Sequence, residues 1–303
     1  MNSVAELPTR RNEAWKYSDL RGVVGERPHV LREGRDIIER LAPQLDRTTV
    51  PVGETRQLVE RLDDDRNLDA RSQDFTLEPG ATLIRVVIQT GADLPLSIAR
   101  VNVGPGAKYT QFVLAFGARL ARVETHVRVD GPGAHVTLNG AYLVQGGRHA
   151  DLTSVIEHRA LSGVTRQLVK GVARRGGRGV FQGKIVVDRA AQQTDACQHH
   201  HGLLLEDGAE IFAKPELMIH ADDVQCAHGN TAGGLDERAL FYMRSRGIPD
   251  SEARALLIEA FLAETIPEAL PDALRDEMLS AIRTWLSEDA PLAPSARDRR
   301  API

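Results

Sequence analysis

Cys226 and His228 lie two residues apart in the segment Ala221-Asp222-Asp223-Val224-Gln225-Cys226-Ala227-His228-Gly229-Asn230-Thr231. In an extended segment alternate side chains share a face, so this thiol and imidazole project together. Both are ligands for iron, zinc or copper. Two ligands do not close a site, so a metal held here takes its other ligands from elsewhere in the chain or from another chain. The same spacing also suits an ordinary buried thiol beside a satisfied histidine, and the pair alone does not separate the two.

A second candidate set lies upstream. In His199-His200-His201, alternation puts His199 and His201 on one face and His200 on the other, with Cys197 in phase with the first two. A Cys197–His199–His201 ladder has the ligand types for zinc or iron, though a solvated polar strand explains it equally simply. Gly177-Arg178-Gly179-Val180-Phe181-Gln182-Gly183-Lys184-Ile185 has the glycine rhythm of a phosphate loop. It lacks the hydroxyl residue after the lysine that would bind Mg²⁺, so no direct ATP binding is expected. Neither a G-x-S-x-G elbow nor an H-E-x-x-H pair occurs. Asp222 and Asp223 are adjacent, and in a strand they would face opposite ways rather than form a dyad.

The rest of the chain must position these residues. Its 303 residues are 42% hydrophobic but only 4% aromatic, so aliphatic side chains must fill the core. The net charge of −4 gives no basic surplus for nucleic acid. Two cysteines make no disulfide framework, which points to a reducing compartment. The first residues carry charges and no apolar signal core, and no run is long and apolar enough for a membrane helix. These features together predict a cytoplasmic protein with no membrane partner.

Three Pro-Gly-Ala motifs at 79–81, 105–107 and 132–134 are spaced by 26 and 27 residues. Each is a turn signal. Each is followed by a strand-like run (82–89, 108–114, 135–138), and runs at 96–103 and 122–129 precede two of them. Asp207-Gly208-Ala209 echoes the motif. A fixed period of strand, turn and strand predicts a β-solenoid, in which each coil buries its inner face on its neighbours; a β-sandwich is the competing architecture. Residues 1–72 read as a short N-terminal helical region, with partial helical spacing at 36–41 and 55–62. The core then spans 73–235, a C-terminal helical domain 236–287, and a disordered tail 288–303. Pro249-Asp250-Ser251-Glu252 starts a helix whose expected apolar stripe is Ala253, Leu256, Leu257, Ala260 and Phe261. Leu274, Met278, Ile282, Trp285 and Leu286 make a second stripe.

The chain resembles the SufB/SufD family of the SUF iron–sulfur cluster assembly machinery. The resemblance is carried by Thr194-Asp195-Ala196-Cys197-Gln198, Ala213-Lys214-Pro215-Glu216-Leu217, Asp222 to Gly229 and Phe241-Tyr242-Met243-Arg244-Ser245-Arg246-Gly247-Ile248. Glu13-Ala14-Trp15-Lys16-Tyr17-Ser18-Asp19-Leu20 looks like the family's N-terminal signature, and the chain is short for the family at that end. Gly229, where SufB-like chains carry Glu, places it on the SufD side. The resemblance implies a mainly β fold with a right-handed parallel β-helix core and a non-catalytic scaffold role. Implied partners are a SufB-like paralogue at the β-helix end and a SufC-like ABC ATPase, which would hydrolyse the ATP. An exposed edge strand would also allow the isolated chain to pair with a second copy as a homodimer, and the sequence leaves that state open. Cys226 and His228 become candidate ligands of transient iron or a nascent Fe–S cluster at the SufB junction, expected to be buried until needed. Phe241, Tyr242, Arg244, Arg246, Leu257 and Phe261 become the SufC side. Two alternatives compete: an independent zinc- or iron-binding β-helix protein using Cys197, Cys226 and the histidines, and a polysaccharide-acting β-helix enzyme, which the low aromatic content opposes.

Overall fold

The computed structural model describes residues 7–25, 30–65 and 68–287. Fourteen strands form two parallel seven-stranded sheets. One runs β1 (Leu45–Val50), β3 (Leu68–Leu77), β5 (Leu94–Val103), β7 (Ala121–Val129), β9 (His149–His158), β11 (Arg178–Val187) and β13 (Glu210–Ile219). The other runs β2 (Thr55–Leu62), β4 (Thr82–Gln89), β6 (Lys108–Ala115), β8 (His135–Val144), β10 (Val164–Ala173), β12 (Asp195–Leu204) and β14 (Gln225–Gly233). Consecutive strands alternate between the sheets, so the chain winds as a parallel β-solenoid, as the repeat predicts.

The Pro-Gly-Ala motifs are the corners of the coils. Gly80, Gly106 and Gly133 have φ of +69°, +61° and +66°, the left-handed region that glycine enters without penalty. The corners also stack. The Gly80 N–H donates to Pro105 O at 2.8 Å, and the Gly106 N–H to Pro132 O at 2.9 Å. A motif that recurs once per coil thus builds its own hydrogen-bonded column.

The inner faces pack on each other and part of each outer face is covered by helices, which explains near-continuous apolar runs such as Ala141–Val144. Between the sheets lie Leu83, Val101, Tyr109, Val127, Val136, Ile156 and Ile185. The first sheet's outer face, through Leu94, Leu96 and Ile98, packs on Trp15, Leu20, Val24, Ile38 and Leu41. Leu20 and Val24 sit on α1 (Leu20–Val24), capped by the Asp19 carboxylate accepting from Gly22 N. Ile38 and Leu41 sit on α2 (Ile37–Leu41), capped likewise by Asp36. The second sheet's outer face, through Val86, Phe112, Leu114 and Leu143, packs on two C-terminal helices. These are α4 (Asp250–Ala263) and α5 (Asp272–Ser287), preceded by α3 (Glu237–Ser245).

Two expectations are corrected. The helical region does not extend to residue 72: the solenoid starts at Leu45, and 55–62 is strand β2. Leu58, Val59 and Leu62 imitate a helical face, yet Leu58 packs with the inter-sheet core and Val59 with the outer one. On α4 the buried residues are Ala253, Ile258 and Leu262, whereas Leu256 is 43% exposed and Ala260 is exposed. The helix is turned so that its seam continues through Ile266 and Leu270 onto α5, where Met278, Ile282 and Trp285 are buried as the second stripe predicts. The expected tail at 288–303 lies outside the described residues.

Close packing between coils sets tight steric limits. A Cβ on Gly171 would sit 1.9 Å from Tyr142 Cζ, and Tyr142 is fully buried one strand away. Gly171→Ala is expected to cost about 1–3 kcal/mol through overpacking, or more if the ring cannot shift. A thermal melt within a degree of the parent would refute this.

Candidate site at the open end of the solenoid

β14 and β13 are the last strands of their sheets, and each has a strand on one side only. Their burial falls abruptly: β12 alternates between half-buried and buried, while no residue of β13 or β14 is buried. Among the described residues, no further strand caps this end of the solenoid.

Cys226 and His228 sit on this last coil. The ladder aligns Ala196 with Cys226, Gln198 with His228, and His200 with Asn230. Ala196, Gln198 and His200 are all fully buried and point into the solenoid. Cys226 packs against the inter-sheet core and is half-buried. The pair therefore shares the inward face, as alternation predicts. His228 is exposed, so the expectation of ligands buried until needed is corrected for the isolated chain.

Burial raises the Cys226 thiol above its ordinary range, with Asp195 and Cys197 adding to the shift and a backbone contact from Ala196 opposing it. A raised thiol is protonated at neutral pH and is a poor nucleophile or ligand until something displaces its proton. Among the described residues, no three His, Cys, Asp or Glu side chains form a group able to hold a metal. A metal at Cys226 and His228 would need further ligands beyond those grouped here among the described residues.

The Cys197–His199–His201 set lies on the opposite face of the same sheet. These three residues are half-buried and alternate with the buried 196, 198 and 200. The His199 and His201 rings stack 6.2 Å apart and nearly parallel, and His201 Nδ1 meets the Thr231 hydroxyl at 2.7 Å. Cys197 and Cys226 therefore point to opposite sides of the sheet and cannot share one ion, which removes the geometry that an independent zinc module needs. The phosphate-loop-like segment is strand β11, paired on both sides. Asp222 and Asp223 lie in the turn before β14 rather than in a strand.

The sequence reading missed two supports of the site. His200, in the layer beneath, is held through Nε2 by Tyr142 Oη at 2.9 Å and through Nδ1 by Asn230 Oδ1 at 2.8 Å. Its ring lies 4° from parallel to Phe181, 5.1 Å away. Buried histidine pinned on both nitrogens has no signature in sequence. The second support comes from the N-terminal segment. Tyr17 stacks on Phe212 of β13 at 5.2 Å, and Glu13 pairs with Lys214 of the same strand. Ser18 Oγ donates to Asp151 at 2.5 Å, and Arg122 lies 4.1 Å over the Trp15 ring. The motif at 13–20 is thus a strap across the first sheet that reaches its last strand.

Residues 39–261 match the family model described as SUF system FeS cluster assembly, SufBD core domain. The chain belongs to the SufB/SufD family. It is 37% identical over 163 residues to iron-sulfur cluster assembly protein SufD of Escherichia coli, covering 54% of this chain and 37% of that one. An iron-sulfur cluster assembly SufBD family protein of Synechocystis is 33% identical over 187 residues, covering 62% of this chain and 41% of the relative. Chloroplastic protein ABCI7 of Arabidopsis thaliana is 36% identical over 181 residues, covering 59% and 38%. The chain spans less than two thirds of the length of these relatives. Within the family match lie every residue of the candidate site and α3, where Phe241 is 72% and Tyr242 60% exposed. Arg244 on α3 pairs with Asp250, and Arg246, just past its end, stacks on Tyr242. Phe261 instead packs into the helix–sheet core with Lys170 Nζ 4.5 Å from its ring, and Leu257 is half-buried. No helix among the described residues is long and apolar enough to cross a membrane.

Proposed function

We propose that the chain is a SufD-side, non-catalytic scaffold subunit of the SUF iron–sulfur cluster assembly machinery. The observation that carries this is the uncovered last coil, whose two open strand edges present Cys226 and His228 on the inward face. An open edge is a template for strand addition. A SufB-like paralogue adding its own last coil supplies main-chain partners to β13 and β14 and encloses Cys226 and His228 in the junction. Iron or a nascent cluster is the cargo, and the partner contributes the missing ligands. Thiolate ligation there requires loss of the Cys226 proton on metal binding, which burial otherwise disfavours. Without the paralogue, the same edge accepts a second copy of the chain.

The exposed Phe241 and Tyr242 with Arg244 on α3 and Arg246 just past its end form the docking side for a SufC-like ATPase, which hydrolyses the nucleotide. Phe261 serves the helix–sheet core, so a charge placed there is expected to lower stability as well as docking.

The test is anaerobic pull-down of the tagged chain, with His228→Ala beside it. Co-purification of a larger β-helix paralogue and an ABC-type ATPase is expected. His228→Ala is expected to lower cluster yield at least tenfold while leaving the melt unchanged, because an exposed side chain on an edge strand holds little of the fold. Wild-type cluster yield in that variant would sink the assignment, and so would recovery of the chain alone with bound zinc.

A further inference from the structure

The solenoid interior carries a polar column that the apolar packing does not require. On the second sheet the inward register runs Arg85, Gln111, Leu138, Gln167, Gln198 and His228. On the facing sheet it runs Gln73, Ala99, Thr125, Ser154, Gly183 and Pro215. The two columns are bridged coil by coil. The Thr125 hydroxyl donates to Gln111 Oε1 at 3.1 Å, Gln167 Nε2 to the Ser154 hydroxyl at 2.9 Å, and Gln198 Nε2 to Gly183 O at 3.1 Å. His228 occupies the next position.

Gln198 is the last bridge before the open end. It is fully buried, and its amide is anchored through the nitrogen. Its Oε1 is buried with no hydrogen-bond partner. Such an orphan acceptor costs roughly 1–3 kcal/mol; Gln167 Oε1, one strand further in, is unpartnered as well, but Gln198 is the one beside the open end. The facing position is glycine, and a Cβ there would lie 2.5 Å from Gln198 Nε2, so Gly183 makes the room that fixes the amide. One position along, the same pair of strands shows the required reach: the inward His200 and Asn230 side chains meet at 2.8 Å across the ladder.

We infer that Gln198 is the positioning residue of His228, its Oε1 accepting one ring N–H so that the other nitrogen faces out of the solenoid toward the junction. This rests on the reading of His228 as a ligand in the proposed function. A histidine ligand ordinarily donates its second nitrogen to an acceptor, which sets both tautomer and ring plane, and losing that acceptor typically lowers metal affinity 10–100-fold. Among the described residues, Gln198 Oε1 is a buried, unpartnered acceptor directly beneath His228 in the register. Pro215, across the coil, has no N–H to compete for it.

The test reads the tautomer directly. The full chain is labelled with ¹⁵N-histidine, and the His228 ring signals are assigned by their loss in His228→Ala. The parent is expected to show one tautomer, and Gln198→Met, similar in size but without the acceptor, a mixture of two. Gly183→Ala displaces the amide from the opposite sheet and is expected to do the same with both polar residues intact, which covers the case of a poorly folded Gln198→Met. Anaerobic cluster yield in cells should fall at least tenfold in Gln198→Met. An identical tautomer in the parent and both variants overturns the inference. If His228→Ala lowers cluster yield but Gln198→Met lowers neither yield nor tautomer purity, Gln198 has no positioning role and the ligand assignment stands. If His228→Ala leaves the yield unchanged, the ligand reading itself falls.

Discussion

Arg122→Ala is expected to destabilise the chain by about 3–5 kcal/mol, the range for breaking one side of a buried ion pair. Arg122 is fully buried, with one guanidinium nitrogen 3.0 Å from the Asp151 carboxylate, itself 1% exposed, and Nε 2.9 Å from Glu124. It also donates to Ala14 O at 2.8 Å and covers the Trp15 ring. Burial alone would push the Glu124 carboxyl up, yet Arg122 and the hydrogen bond from His126 overcome this and hold it at about 2. Removing the guanidinium leaves the Asp151 charge in a site with only Ser18, Thr153 and Gln182 as donors. It also frees the N-terminal strap, so faster amide exchange is expected in β13, where Tyr17 and Glu13 dock. An Arg122→Ala/Asp151→Ala double variant should lose less than the sum of the two singles, because neither charge is then stranded. Urea unfolding of all three checks this, and a loss below 1 kcal/mol in Arg122→Ala would contradict the account.

The solenoid was legible from Thr82 onward because its corners recur and its strands alternate. The Pro-Gly-Ala corners needed glycine at a positive φ, and a backbone requirement of that kind survives in composition. The first coil was not legible. β1 and β2 are end strands carrying Asp46, Arg47, Arg56, Glu60 and Arg61, charges that blunt an edge and also erase the alternation. At the opposite end β13 carries Glu210, Lys214 and Glu216 together with Met218 and Ile219, each of the last two 43% exposed. Within the site, the Cys226–His228 pairing was legible from local spacing, because it depends only on two residues of one strand. Gln198, His200 and the strap were not, because each acts through a register partner about 30 residues away or, for the strap, through a strand some 200 residues away. An inward glutamine looks in sequence like an ordinary break in an apolar run.

Stability is expected to fall steeply as pH drops from 6.5 toward 4. His149, His158 and His200 are 8%, 0% and 0% exposed, and burial holds each at about 4 against an ordinary 6.5. For His149 the Asp151 charge resists this shift, and Arg178, Arg10 and Arg122 reinforce it. The sign follows from proton counting. Between about 4 and 6.5 the unfolded chain takes up protons at these rings and the folded chain does not, so acid favours the unfolded state. Each ring contributes about 1.4 kcal/mol per pH unit across that window, roughly 3 kcal/mol by its lower end. Glu124, depressed to about 2, adds a loss of the same direction only below its ordinary 4.5. Urea midpoints at pH 7.5, 6 and 5 measure the effect, and a flat midpoint over that range would refute it. His158→Leu removes one of the three uptake steps and should flatten the slope, since this ring touches no residue of the site. His200 links the titration to the junction. As drawn by its partners, it donates from Nδ1 to Asn230 and accepts at Nε2 from Tyr142, and a second proton abolishes that acceptor. The layer beneath Cys226 and His228 therefore loosens in acid, and amide exchange in β14 should accelerate as pH falls toward 4.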